Sequence, residues 1–254
     1  MKSATTVAMT RFGGGLAVVV GLFGLGACDN GSPTGTVAPT VASPAATTAA
    51  TPTVPVHMQE HFSKAADMQK AVVNGDLVGF KAAAAWMAEH QVSATMPPAW
   101  STGAAAMQTA AHVARDAADL SAAAVALGAI GTTCASCHSA VSAPKITVPA
   151  PPAGASGTAP HMQLHQWAVD TMWLGLMGPS TDAWVKGAEA MATAPLTAES
   201  ASPQMTVSKE VVDMADAVHA QAQKARTLEP TARGKAWGEM LVTCTACHQA
   251  IKKP

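Results

Sequence analysis

Gly131-Thr132-Thr133-Cys134-Ala135-Ser136-Cys137-His138 and, 110 residues further on, Cys244-Thr245-Ala246-Cys247-His248 carry the same pattern, C-x-x-C-H. That pattern is the signature of covalent c-type haem attachment: two thiols add to the vinyl groups of one haem and the following His reaches the iron. A turn of helix meets all three demands. Cys134, Cys137, Cys244 and Cys247 are thus the attachment residues of two haem c groups, and His138 and His248 their proximal iron ligands. Zinc is the competing reading, but structural Cys₄ sites space their pairs by roughly 15–20 residues. A thioredoxin-like motif would need a βαβ pattern, which the sequence lacks.

The 254 residues suffice for one large or two small domains. Alanine-rich, tyrosine-free sequence points to an all-α protein. A net charge of −1 without a basic patch argues against nucleic acid as a partner. Met1 to Ala27 reads as a signal peptide: Lys2 and Arg11 flank an apolar stretch, Leu16–Ala27, shorter than the ~20 residues that span a bilayer. It ends Leu25-Gly26-Ala27-Cys28, which looks like a bacterial lipobox with Cys28 lipidated; ordinary cleavage nearby would leave Cys28 a free thiol. The five cysteines then divide as one at the lipobox and two per haem motif, with none over for a disulfide. The expected location is the periplasmic side of a bacterial membrane, lipid-anchored.

Residues 28–54 are rich in Pro, Thr, Ala and Ser and read as a tether; 143–158 read as a similar linker, with a coil span of only ~25 Å that would let the haems stay near each other. Between them lie two segments, 55–142 and 159–254, each closing on a C-x-x-C-H. They form a degenerate repeat. His57-Met58-Gln59-Glu60-His61 matches His161-Met162-Gln163-Leu164-His165 at an offset of 104, as do Met68 with Met172 and Phe80 with Trp184. The haem motifs are offset by 110, and Leu228–Thr231 is the expected place of the extra residues. Helix signals place four helices in each copy. Asn74-Gly75 ends the first, Asp76 caps the second, Pro97-Pro98 precedes a third opened by Ser101 or Thr102, and Ser121 caps the fourth. Gly178-Pro179 and Ser180 or Thr181 repeat the first boundary, with later helices near 206–227 and from about Thr231. Short connections favour an antiparallel bundle.

A C-x-x-C-H at the end of the last of four helices resembles the class II c-type cytochromes, the cytochrome c-prime group. Gly131 three residues before Cys134, and Ile251-Lys252 after the second motif, are further points of likeness. The resemblance implies two tandem antiparallel four-helix bundles, each with one covalently bound haem. It implies that any sixth iron ligand comes from the first turns of helix one. There the apolar stripes run Met58, His61, Ala65, Met68, Val72 and Met162, His165, Val169, Met172, Leu176. Three arrangements stay open: His61 and His165 as ligands, Met58 and Met162 one turn earlier, or an iron with no sixth ligand. His57 and His161 fall just off the stripe, beside a propionate. His90 ends helix two, and His112 and His219 are read as surface residues. The six tryptophans are read as packing.

The function expected is one-electron transfer at the bacterial cell envelope, with redox proteins of a respiratory or photosynthetic chain as partners and the membrane reached through the lipid anchor. No enzyme is expected: no Ser-His-Asp set or paired carboxylates stand out, and a haem peroxidase would need a distal acid–base pair. The alternative is a cytochrome c-prime-like protein binding a small gas, NO or CO, at an open haem face.

Overall fold

The computed structural model describes residues 54–90, 96–153, 158–193 and 208–252. The expected signal peptide, Cys28 and the first tether up to residue 53 lie outside these, and Val54 belongs to a helix. Among the described residues there are eight α-helices and no strand: α1 (Val54–Asn74), α2 (Leu77–Glu89), α3 (Ser101–Arg115), α4 (Leu120–Ala140), α5 (Thr158–Met177), α6 (Thr181–Thr193), α7 (Lys209–Ala225) and α8 (Pro230–Lys252). A 3₁₀ turn, Pro98–Trp100, leads into α3.

Local chemistry sets most of the boundaries. Gly75 adopts φ +78°, a left-handed conformation that glycine takes without penalty, and α1 ends there. Asp76 then accepts the Gly79 N–H at 2.8 Å and opens α2. Ser180 and Ser208 cap α6 and α7 through the N–H groups of Ala183 and Val211. Two boundaries differ from expectation. Asp119, not Ser121, caps α4, accepting the Ala122 N–H at 2.8 Å, which brings Leu120 into the first turn. The turn before α3 takes the place of a side-chain cap there.

Helix lengths relocate the extra residues of the second copy. The loops 116–119 and 226–229, before α4 and α8, are equal in length, so Leu228–Thr231 carries no insertion. The segment between α6 and α7 is longer than that between α2 and α3, and α7 is 17 residues against 15 for α3.

In each half the helices pack in chain order, and the fourth returns to the first. The two halves are not independent bodies. The described residues form one compact unit, and one apolar core runs through both halves, from Met68, Phe80 and Leu127 to Trp184, Trp237 and Leu241. Halves of this size have marginal cores alone; here each also completes the other's. The described part of the linker, 143–153, lies against the protein: Trp167 donates to the Pro149 carbonyl at 3.1 Å, and Ile146 sits over Gly178.

The junction between halves is the contact of α4 with α8. A Cβ on Gly128 would fall on the carbonyl oxygen of Gly234; one on Gly238 would lie 2.8 Å from the Ala124 carbonyl oxygen and 3.1 Å from the Val125 Cα. Only hydrogen at these positions allows two backbones so near. The pairs 128/234 and 124/238 run in opposite directions, so the helices are antiparallel. The two C-x-x-C-H turns therefore lie at opposite ends of the molecule. With about 1.5 Å of rise per residue, His138 and His248 are separated by roughly 36 Å along the axis. The expectation of neighbouring haem sites does not survive this geometry.

By length and composition α4 is apolar enough to cross a membrane, with mean hydropathy 1.6. In this fold it packs against α1, α3, α5 and α8, which accounts for that apolarity.

Gly128→Ala tests the junction. In an open helix the change would add about 0.5–1 kcal/mol of stability. Here a methyl group against an immovable carbonyl should cost roughly 1–3 kcal/mol net, read as a lower urea midpoint.

Candidate functional site

Antiparallel packing brings the first turns of α1 to the last turns of α4. There Cys134, Cys137 and His138 line a cavity of about 510 Å³, faced by His57, Met58 and His61 from α1. Its wall is mostly apolar, with Phe62, Met87 and Met107 among the lining residues. Gly103 lets α3 come against Cys137: a Cβ there would stand 2.6 Å from Sγ. In the second half, Cys247 packs with Val211, Met214 and Ala215 of α7, while Cys244 joins the main core. Burial pushes the Cys134 and Cys244 thiols up to about 12. In the folded chain they are thiols rather than thiolates.

Each motif histidine is oriented from the other half. His138 Nδ1 lies 2.8 Å from the carbonyl oxygen of Met177 on α5, and His248 Nδ1 lies 3.2 Å from that of Val73 on α1. A carbonyl can only accept, so Nδ1 carries the proton and Nε2 is left with its lone pair. Val73 and Met177 stand at the repeat offset of 104, so the two halves exchange equivalent contacts. Thr245 strengthens the second, donating to the Val72 carbonyl at 2.9 Å.

At the opening of the first helices the structure gathers more imidazoles than the sequence suggested. His57, His61 and His90 form one trio and His161, His165 and His219 another; within each, one ring nitrogen from every residue lies within 4.8 Å of the others. His57 and His61 ring centroids are 4.3 Å apart, and those of His161 and His165 4.1 Å. His219 is buried, its Nδ1 donating to the Met191 carbonyl; the surface placement was wrong because His219 follows Ala215 by four residues on the buried stripe of α7. His112 is exposed. His57 is also deeper than its neighbour Met58, being 2% exposed. A 3.6-residue period run back from Val72 reaches 57.6, so periodicity leaves 57 and 58 equivalent, and the partner His90 decides. Met162 is an exposed residue, whereas Met58 reaches the cavity.

The tryptophans pack, as expected. Trp173 stacks on Trp237 at 4.6 Å where α5 meets α8, and Trp184 donates to the Ala225 carbonyl at 2.7 Å.

Desolvation, then the charges of His57 and His90, hold His61 down at about 4; burial also lowers His57 and His161. These imidazoles are neutral at pH 7. No protein-family model, curated protein or solved structure matches this chain.

The linkage has a definite sign. Below the ordinary value of 6.5 the unfolded chain binds protons that the folded chain refuses, so the stability held above it is lost as pH falls. In metal-free protein the melting temperature should drop between about pH 6.5 and pH 4. His61→Gln, with no proton to take up at that position, should flatten the drop in thermal melts followed by circular dichroism.

Proposed function

We propose that this protein is a dihaem c-type cytochrome that transfers single electrons at the bacterial cell envelope, each four-helix half holding one haem. The observation that carries this reading is the apolar cavity into which Cys134, Cys137 and His138 all face. Both thiols and one imidazole of a C-x-x-C-H turn open onto a space in the size range of cofactor pockets. The residues present fit the group.

Haem held this way supplies a ferric/ferrous couple. The chain's own residues do the rest. Cys134 and Cys137, and Cys244 and Cys247, provide the thioether sulfurs. His138 and His248 would hold the iron through Nε2, their rings oriented by the carbonyls of Met177 and Val73. Such a hydrogen bond raises the basicity of a ligating imidazole and so favours the ferric state. Apolar side chains form most of the lining of the first site. His61 and His165, or Met58 and Met162, would be the further residues able to hold the iron. Redox proteins of a respiratory or photosynthetic chain would be its partners, and the lipid on Cys28 would hold it to the membrane. An open iron face would instead support binding of NO or CO.

Pyridine haemochrome analysis should find two haems per chain in the intact protein. The double variant Cys134→Ala/Cys137→Ala should retain one, as should Cys244→Ala/Cys247→Ala; no covalent haem in the intact protein would overturn the assignment. Low-temperature EPR of the oxidised protein separates bis-imidazole, imidazole–thioether and five-coordinate iron. Rapid CO binding at both ferrous haems would favour the gas-binding reading.

A further inference from the structure

Of the nine histidines in the chain, two belong to the C-x-x-C-H motifs, His112 is exposed, and the remaining six form the two trios. The third members are not repeat equivalents: His90 ends α2, while His219 lies in the middle of α7. Two different positions have thus arrived at the same result, three imidazoles meeting beside the first turns of α1 and α5. One axial ligand per haem would need one imidazole, not three.

The cluster is also incomplete as packing. His57 Nδ1, His61 Nε2, His161 Nε2 and His219 Nε2 are buried without a protein hydrogen-bond partner. Buried polar atoms normally find partners, and a group of them aimed at one another is the arrangement that a cation resolves. In the second trio, donation from His219 Nδ1 to the Met191 carbonyl leaves Nε2 with its lone pair free for a metal. Metal-binding histidines are characteristically fixed through their other ring nitrogen in this way.

We infer that each trio is a binding site for a borderline divalent transition ion, zinc(II) or copper(II), separate from the proposed haem. Three imidazoles suit these ions, whereas Mg²⁺ and Ca²⁺ take oxygen ligands. Tetrahedral Zn–N bonds of ~2.0–2.1 Å put ligand nitrogens about 3.4 Å apart, so the trios need only close by rotamer adjustment. Three protein ligands leave a fourth position for an exchangeable ligand. The sites are not identical. Glu60 places Oε2 3.5 Å from His90 Nε2 in the first, where the repeat has Leu164 in the second. A nearby carboxylate makes the first site the tighter one. The assignment goes beyond the haem reading and commits His61 and His165 to the divalent ion rather than to haem iron.

The test uses the full-length, haem-loaded protein without a polyhistidine tag, stripped with chelator and then titrated with Zn²⁺. Calorimetry and elemental analysis should find two Zn²⁺ per chain with two affinities. His90→Ala should lose the tighter site and His219→Ala the weaker. His90→Asn and His219→Asn, checked for folding by circular dichroism, should give the same losses, and His112→Ala should change nothing. Haem content, measured separately, should be the same in all variants. Stoichiometry below one Zn²⁺ per chain, uptake indifferent to both His90 and His219, or bis-imidazole haem iron in protein that takes up no zinc would overturn the inference. Zn²⁺ uptake without covalent haem would instead leave it standing and remove the cytochrome reading.

Discussion

The approach of α4 to α8 across Gly128, Gly234 and Gly238 is the constraint on which the rest depends. Without side chains at those positions the backbones meet, and the two halves share a core instead of a linker. Shared packing in turn brings the end of α5 to His138 and the end of α1 to His248. Each motif is held by its own helix through covalent chain geometry, but its histidine is aimed by the opposite half. A change at the glycines would therefore reach both sites at once, at opposite ends of the molecule.

The trios add a second layer to the same architecture. In an antiparallel half, the start of the first helix and the end of the last are neighbours, which is why His57 and His61 look across a cavity at Cys134 and His138. The cost of collecting three imidazoles there is paid in desolvation. Burial first, and then the neighbouring imidazoles, lower His57 and His61 below the ordinary imidazole range.

Much of the helical framework was legible because it rests on local chemistry. Gly75, Asp76 and Ser180 act over three or four residues, and their roles could be read directly. The C-x-x-C-H turns were equally local. What escaped depended on contacts between residues far apart in sequence. Period alone could not choose between His57 and Met58; His90, from another helix, did. His219 was misplaced because its register on α7 follows Ala215, a pairing hidden by the longer segment before that helix. Nothing local marks Gly128 and Gly238 as the positions where two helices touch.

The crossed carbonyl contacts also bear on the order in which the molecule can be made. Chain synthesis runs from the N-terminus, so the first C-x-x-C-H emerges well before α5 is complete. Until Met177 is in place, the His138 ring has no acceptor for Nδ1 and is free to turn. The second motif meets the opposite situation: Val73 is already there when His248, near the end of the chain, arrives. The first-made site thus waits for an acceptor still to be made, and the last-made site docks onto a surface already there.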